Sequence, residues 1–362
     1  MSIVIPLVAI IALVIIHELG HFFAAKLVGV KVLEFSVGFP PRILSTNFRG
    51  TKFSFGALLL GGFVKLKGDG AEADDTSKDS LSGTTTGRKL IILIAGVVMN
   101  LLAAWFLFAM LFTRGVSLPA ESLPQKLRAE FQTNAPTLSF FEVAPDSPAD
   151  LANVPTKKKV TQVVVQDNIV ANPTQEMFGQ IVQIGAPLAI SFEGVDEPVT
   201  LTPVMSDGKY RVGVVLLEDI HVKENFIRAV GDSFSYTAFL TKETFMGFVH
   251  AVVNVVTPDE PGVSTAGDAS VSGPIGIVRI LGNTLAEGFS LFLVLVAIIS
   301  INLAVLNILP LPILDGGRIL VVLFEAARGK KISTNAQAIL NGIGMLIILA
   351  LAVVGVINDL RK

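Results

Sequence analysis

Four long stretches without charged residues dominate the hydropathy pattern of the chain. They cover residues 2 to 16, 90 to 113, 288 to 314 and 332 to 358. In the first of them the apolar pattern continues through His17 to about Leu27. Because a membrane-spanning helix needs about 20 consecutive apolar residues, the pattern predicts four transmembrane helices. We expect the first to be a span rather than a signal peptide, because no positively charged segment precedes it and no small-residue cleavage site follows.

Between the first two spans, residues 50 to 67 show the alternation of β-strands. Aromatic residues alternate with small or polar ones, Gly61 and Gly62 follow, and a second alternating run begins at Phe63. This pattern predicts a β-hairpin, whose short apolar tip dips into the membrane beside other protein. The Asp-, Gly-, Ser- and Thr-rich stretch from 68 to 87 is expected to be a connector.

A segment of soluble composition lies in the middle of the chain, from residue 117 to 216. One helix is predicted near 173 to 184, among short strands, so we expect a compact domain of antiparallel strands. The β-rich runs are SFFEVA, KVTQVVVQ, LAISFEG, PVTLTPV and RVGVVLL. Residues 222 to 256 show the spacing of an amphipathic helix at the membrane surface, and residues 257 to 274 are expected to form a loop.

Composition and charge agree with a membrane protein. The chain has 51% hydrophobic and only 16% charged residues, whereas soluble domains carry roughly 25% charged residues. Its net charge of −2 provides no basic field for nucleic acid, so we expect the lipid bilayer and no nucleic acid among its partners. The absence of cysteine excludes disulfides and cysteine-based zinc sites.

The distribution of Lys and Arg predicts the orientation in the membrane. Residues 26 to 89 contain ten of them and residues 315 to 331 contain four, and short connections rich in Lys and Arg face the cytoplasm. Both termini and the long segment from 114 to 287 are then expected outside. Spans one and three run in the same direction, from outside to inside.

The first span carries three ionisable residues, His17, Glu18 and His21, in the stretch VIIHELGHFFAAK. A charged residue in the membrane costs at least ~2.5–3.5 kcal/mol and usually has a function. Two histidines four residues apart leave one face of a helix and can bind one Zn²⁺, with the intervening Glu beside the metal as a base. At ~1.5 Å per residue from Ile3, His17 lies ~21 Å into the span, past the midplane of a core ~30 Å thick.

A catalytic zinc also needs a third protein ligand. Asp315, in the stretch NILPLPILDGGRIL, ends the uncharged run of span three, which reaches the cytoplasmic side together with span one. Pro310 and Pro312 break the helix there, and the Gly-Gly pair after Asp315 permits a sharp turn. We therefore predict a zinc site formed by the two histidines and Asp315, with Glu18 as the catalytic base.

Less specific interpretations remain open for the ionisable residues of the first span, for Asp315 and for the asparagines of the third span. The ionisable residues of the first span are also compatible with a buried polar network or with the ion path of a transporter. Asp315 is compatible with a helix-ending turn, and Asn302 and Asn307 in the third span with hydrogen bonds between helices. A transporter predicts internal repeats, and we find none. An inactive scaffold predicts a broken HExxH pattern, which is intact.

These motifs together resemble the site-2 protease family of intramembrane zinc metalloproteases, in its bacterial regulator-of-sigma-E type. HELGH matches the HExxH of that family, and NILPLPILDGG matches its NxxPxPxLDG pattern. GGFVKLKGD resembles its membrane-associated hairpin, AGVVMNLLAAW the start of its second span, and SGPIGI the element before its third span. The resemblance covers nearly the whole chain.

The resemblance implies a role for each motif. The implied zinc ligands are His17, His21 and Asp315, and the implied base is Glu18. Asn302 and Asn307 match asparagines that handle the substrate backbone. The hairpin around Gly61, Gly62 and Phe63 has a strand edge that can hold an unwound substrate by strand addition.

We therefore expect a polytopic α-helical membrane protein with four transmembrane helices, a membrane-associated β-hairpin and one extracytoplasmic PDZ-like α+β domain. The family's outer domain is a circularly permuted PDZ domain, whose opening VAPDSPADLANVPTKKKVTQVVV fits, although the usual Ala-Gly-Leu…Gly-Asp is absent. The expected parts are residues 1–116 with two spans and the hairpin, 117–216 with the PDZ-like domain, 217–285 with the amphipathic helix and linker, and 286–362 with the last two spans.

The expected activity is that of an intramembrane zinc metalloprotease in the bacterial inner membrane. Its substrates would be the transmembrane segments of single-span proteins, such as an anti-sigma factor or a remnant signal peptide, in regulated intramembrane proteolysis. Another protease would trim them first, and the outer domain would exclude untrimmed proteins by size. The alternatives are a transporter and an inactive membrane scaffold.

Overall fold

The computed structural model describes residues 3–69, 75, 77–131, 137–256 and 273–361. The chain forms two compact units, the first from residues 1–111 and 233–362 and the second from residues 112–232. The predicted loop over residues 257–274 lies, except for its last two residues, outside the described part of the chain.

Long helices lie toward both ends of the chain, and most of the strands lie between α2 and α6. The helices are α1 (Val4–Leu27), α2 (Thr86–Arg114), α3 (Gln125–Phe131), α4 (Pro148–Leu151), α5 (Gln175–Val182), α6 (Phe226–Val256), α7 (Pro274–Glu287), α8 (Phe289–Ile308), α9 (Asp315–Arg328) and α10 (Thr334–Arg361). The strands are β1 (Val32–Phe48), β2 (Thr51–Leu66), β3 (Val116–Pro119), β4 (Thr137–Val143), β5 (Val160–Val165), β6 (Asn168–Ala171), β7 (Leu188–Phe192), β8 (Val199–Leu201), β9 (Val204–Ser206), β10 (Lys209–Arg211) and β11 (Val214–Val222).

Three helices in the described part of the chain are long and apolar enough to cross a membrane, namely α1, α2 and α8. They coincide with the first three predicted spans. α10 covers the fourth predicted stretch but is not among the three, so a fourth span stays a prediction. α1 ends where Gly29 takes the left-handed conformation (φ 83°) that releases the backbone from a helix. α8 ends at Ile308, and the next residue is extended, as a residue before proline prefers.

The strands β1 and β2 form an antiparallel pair, joined by the two-residue turn Arg49-Gly50. Both turn residues have positive φ, as the tightest hairpin turns require. Each strand is long and bends, so that residues 34–37 of β1 lie between residues 62–65 and residues 52–55 of β2. The pair thereby forms a small sheet, and residues 62–65 run along one edge of it.

The prediction of a hairpin confined to residues 50–67 is wrong in its boundaries. The pairing begins at Val32, and the Gly-Gly pair lies within β2 rather than at a tip. β1 was not among the predicted elements, and it contains two prolines at 40–41, which argue against a central strand. In the structure these prolines follow Gly38, which has positive φ (85°), at the bend of the strand, so they do not interrupt the paired part.

The second unit consists of small antiparallel sheets around an apolar core. The sheet orders are β3-β11-β4, β6-β5-β7-β8 and β10-β9. The five predicted β-rich runs coincide with β4, β5, β7, β8 and β11, and the predicted helix with α5. Phe140 is fully buried, and its ring centroid lies 5.3 Å from that of Phe178 and 5.5 Å from that of Phe192. The unit extends beyond residues 117–216 because β3 pairs with the end of β11.

Glu224 should make the stability of the second unit depend on pH. Its burial, and then the negative charges of Asp232 and Glu130, raise the pKa of Glu224 from 4.5 to about 7. The folded state therefore keeps a proton that the unfolded state releases, so stability is greatest below the unfolded pKa and falls as the pH rises toward 7. Glu224→Gln should abolish this fall. Hydrogen exchange of residues 137–222 at about pH 5 and pH 8 measures it, and an unchanged fall in the variant would contradict the assignment.

Candidate metal centre

The two histidines of α1 and Asp315, the first residue of α9, meet in the interior of the first unit. His17 Nε2 and His21 Nε2 lie 3.2 Å apart. Asp315 Oδ2 lies 3.1 Å from His17 Nε2 and 3.2 Å from His21 Nε2. All three residues are buried, with at most 9% of their surface exposed. The structure thus brings together the three residues that the sequence marks as ligands.

This cluster fits a zinc ion. A tetrahedral zinc with bonds of about 2.0–2.2 Å has ligand atoms roughly 3.3–3.6 Å apart, close to the observed triangle. Asp315 Oδ2 is buried without a hydrogen bond, and an orphaned buried oxygen is costly unless a cation or donor compensates it. Within the described ranges, no other group of three or more His, Asp or Glu side chains shows such convergence.

The backbone between α8 and α9 fixes Asp315 at the cluster. α9 begins at Asp315 itself, after an extended residue. Gly316 and Gly317 follow, and an added Cβ would overlap the carbonyl oxygen of Ile308 at the first and of Leu311 at the second. Only glycine therefore lets the first turn of α9 pack this closely against the end of α8 and against the segment that follows it.

Helix α2 supports both imidazoles through residues spaced four apart on one face. The Ile92 carbonyl accepts a hydrogen bond of 2.8 Å from His21 Nδ1, which leaves Nε2 of that ring with its lone pair toward the cluster. One turn later, an added Cβ at Gly96 would lie 2.5 Å from His21 Nε2 and 2.6 Å from His17 Cε1. One turn further, Asn100 approaches His17. The sequence analysis did not predict a role for any of these three residues. The sequence offers one indication for Gly96, namely a small residue among bulky apolar ones in a predicted span, where small residues mark close helix contacts.

Strand β2 passes beside Glu18. An added Cβ at Gly62 would lie 3.2 Å from Glu18 Cγ, so the strand backbone is close to the proposed base. Gly61 lies against the ring of Phe39, and the same ring stacks on Phe63 with centroids 6.3 Å apart. Of the three residues on β2 that we expect to bind substrate, Gly62 lies beside Glu18, and the other two pack against Phe39.

An ion pair ties the end of β2 to α9. Arg318 Nη2 lies 2.7 Å from both carboxylate oxygens of Asp69, three residues beyond the strand. Because α9 begins with Asp315, this pair couples the position of the strand to that of the candidate ligand.

The two asparagines of the third span lie on α8. Asn302 and Asn307 are both half-buried, and Asn307 is the last residue but one of the helix. The described contacts connect neither of them to the histidines or to Asp315, so their role in handling substrate stays a prediction.

Gly96→Ala should cost the protein its zinc. The added methyl group would occupy the space of both imidazoles, so the rings would have to leave the cluster. Gly87→Ala on the same helix is the matched control, because an added Cβ there meets nothing within 4 Å. Metal analysis of the purified proteins should give about one zinc per chain in the parent and in Gly87→Ala, and far less in Gly96→Ala. Full occupancy in Gly96→Ala would show that zinc binds elsewhere.

Comparison with known proteins points to the same chemistry. The family model described as peptidase family M50 matches residues 5–351. A candidate zinc metalloprotease of Clostridium acetobutylicum is 30% identical over 359 residues, which cover 99% of this chain and 97% of that protein. A candidate zinc metalloprotease of Campylobacter jejuni is 29% identical, and the match covers 97% of this chain and 90% of that protein. The probable membrane metalloprotease ARASP2 of Arabidopsis thaliana chloroplasts is 29% identical, and the match covers 96% of this chain and 77% of that protein. The chain therefore belongs to peptidase family M50, the site-2 protease family, and is a membrane metalloprotease that uses zinc.

Proposed function

We propose that this protein cleaves peptide bonds inside the membrane, within the transmembrane segments of single-span proteins. The observation that carries the proposal is the depth of the cluster. Thirteen helical residues of α1, Val4 to Ile16, precede His17 in a helix apolar enough to span. At ~1.5 Å per residue they cover ~20 Å of a core ~30 Å thick. A peptide bond at that depth belongs to a membrane-embedded segment.

A four-span topology accounts for the remaining apolar helix. α10 has 28 residues, which at ~1.5 Å each exceed the ~30 Å core. An added Cβ at its Gly344 would lie 3.1 Å from Ile313 N, near the candidate ligand. At its other end, Asp359 accepts backbone hydrogen bonds of 2.9 and 2.8 Å from Gly273 and Gly276. α10 therefore contacts the segment before α9 in its first half and the start of α7 near its last residues, which supports the proposal that it is a fourth span.

The charge distribution supports an orientation for this topology. The Lys and Arg residues of 26–89 and 315–331 favour the cytoplasmic side for the metal centre. The same rule favours a location outside the cytoplasm for residues 114–287. The proposed location of the protein is the inner membrane of a bacterium.

The proposed chemistry divides the tasks among the residues of the centre. His17, His21 and Asp315 hold the zinc, and Glu18 takes the proton of the attacking water and passes it to the leaving amine. Bound zinc supplies a Lewis acid that polarises a carbonyl and lowers the pKa of water. The buried surroundings exclude competing water and strengthen these charge interactions.

The edge of β2 is suited to present the substrate. A transmembrane helix hides its carbonyls in its own hydrogen bonds, so the segment to be cut must first unwind. Residues 62–65 form one edge of the small sheet, and Gly62 lies beside Glu18, so strand addition there brings an extended peptide to the base. Phe39, Leu44 and Leu58 at the far end of the sheet are exposed, which supports contact of that end with lipid. Asn302 and Asn307 would bind freed backbone groups.

The second unit is proposed to be the PDZ-like domain that excludes untrimmed proteins. Its antiparallel strands and its three short helices, α3, α4 and α5, fit such a domain. β11 already lies between β3 and β4, so it has no free edge for strand addition of a peptide. This favours exclusion by size over capture of a peptide. Exposed apolar residues on α6, including Phe226, Ile227 and Phe234, support its place at the membrane surface.

Glu18→Gln should retain zinc and abolish cleavage of a single-span substrate in proteoliposomes. The amide has nearly the same shape as the carboxylate but cannot accept the proton of water. General-base catalysis contributes typically 10²–10⁴-fold, so turnover should fall by about that factor. Parental turnover in the variant would remove Glu18 from the mechanism.

Asp315→Ala is the matching variant for the metal. It should lose both zinc and cleavage, because the two histidines leave the ion two ligands short of a tetrahedron. Metal analysis therefore separates the two variants, since only Glu18→Gln should contain one zinc. A full equivalent of zinc in Asp315→Ala would show that the third ligand lies elsewhere.

Replacing residues 116–222 by a flexible Gly/Ser linker should leave zinc content unchanged and relax the size limit. The removed segment runs from β3 through β11 and includes none of the cluster residues. Two substrates with the same transmembrane segment, one with a folded outer domain and one trimmed, should then be cleaved at similar rates. The parent should prefer the trimmed one. Loss of zinc from the folded variant, or an unchanged preference, would contradict the role of the second unit.

A further inference from the structure

Asn100 is a fully buried polar residue in the apolar face of α2. Its side-chain Nδ2 lies 3.4 Å from His17 Nδ1, and its Oδ1 is buried with no hydrogen-bond partner. Ser300 on α8 is fully buried as well and donates a hydrogen bond of 2.8 Å to the backbone carbonyl of Asn100. The residue is therefore fixed between two helices with its amide against the ring of His17.

The orientation of this amide follows from the chemistry of His17. The nitrogen and oxygen of an amide are interchanged by a rotation of 180° and are assigned from their partners. His17 Nε2 faces Asp315 Oδ2 and His21 Nε2 in the cluster, so a neutral ring that binds a metal through Nε2 carries its proton on Nδ1. A proton on Nδ1 needs an acceptor, and the amide oxygen is the only acceptor that Asn100 has at that position.

The same arrangement already exists at the other histidine. His21 Nδ1 donates to the Ile92 carbonyl, two helical turns before Asn100 on the same face of α2. The backbone carbonyl of Ile92 would then orient the ring of His21, and the side-chain carbonyl of Asn100 would orient the ring of His17 in the same way. Groups that bind the second nitrogen of a ligating histidine fix its tautomer and direction.

We propose that Asn100 is a positioning residue of the zinc centre, whose side-chain oxygen accepts the Nδ1 proton of His17 and so presents Nε2 to the metal. The inference rests on the proposed zinc site. Removal of the acceptor would leave the Nδ1 proton unpaired in an apolar environment and allow the ring to change tautomer or turn away. Loss of such a group typically weakens metal binding by roughly 10–100-fold.

Zinc affinity of the purified full-length protein tests the proposal without reference to turnover. Asn100→Leu keeps the size of the side chain and removes the acceptor, so competition with a chelator should show zinc bound roughly 10–100-fold more weakly. Asn100→Asp keeps an acceptor, and its affinity should equal or exceed that of the parent. A role in packing alone predicts the reverse order, because a buried Leu is tolerated and a buried carboxylate is not. Weaker binding in Asn100→Asp than in Asn100→Leu would overturn the proposal.

The tautomer of His17 provides a second measurement. The chain has four histidines, so nitrogen NMR of ¹⁵N-histidine-labelled, zinc-loaded protein can assign them by substitution. Nδ1 of His17 should carry a proton in the parent and in Asn100→Asp, and that proton should exchange faster with water in Asn100→Leu, where it has no acceptor. If Asn100→Leu does not fold, the parent and Asn100→Asp decide, and an Nδ1 without a proton in either would refute the assignment. A parent that binds no zinc would refute the zinc site instead.

Discussion

Helices α1 and α2 touch at two glycines, and the metal centre depends on that contact. An added Cβ at Gly20 would overlap the carbonyl oxygen of Ala95, and one at Gly96 would overlap the imidazoles of both candidate ligands. Without a hydrophobic driving force between helices in lipid, close packing at small residues is what holds such helices together. The rings thus lie between two backbones rather than between bulky side chains. This close approach brings the Ile92 carbonyl within hydrogen-bond distance of His21.

The contact also resolves the cost of putting polar groups in an apolar unit. A buried polar atom without a partner loses the free energy of its hydration. His21 has a backbone acceptor, and Asp315 lies within 3.2 Å of both Nε2 atoms. The lone pairs of the two Nε2 atoms and of Asp315 Oδ2 still point at one another without a donor between them. A bound cation would interact favourably with all three. Because the candidate ligands come from α1 and α9, the free energy of zinc binding at this cluster would also stabilise the packing of these two helices.

The sequence alone predicted the parts of the centre that follow a local rule. His17 and His21 share a face because they are four residues apart, and Asp315 follows two prolines that must end α8. The supports on α2 follow no such rule, since a backbone carbonyl at Ile92 carries no side-chain signal. Asn100 has one, but a lone Asn in a span is equally suited to helix contacts.

The sheet was mispredicted for a similar reason. Its pairing extends from the turn to residues as far apart as Val32 and Leu66, and β1 contains prolines at 40–41 that lie at a bend. The limits of the second unit were also set by pairing, of β3 with β11, and not by composition. Local patterns therefore pointed to the candidate ligands, while contacts between elements determined what surrounds them.

The geometry of α1 assigns different tasks to its two sides. With His17 at 0° and about 100° per residue, the positions around the helix are about −60° for Gly20, 40° for His21, 60° for Val14 and 100° for Glu18. α2 covers the sector from Gly20 to His21, whereas Gly62 of β2 contacts Val14 and Glu18. The candidate base therefore faces the strand and not α2, as the proposed delivery of a peptide along β2 requires. The side of α1 that holds the imidazoles is covered by a helix, and the side that holds Glu18 is bordered by a strand edge, so a single turn of α1 separates the candidate ligands from the candidate base.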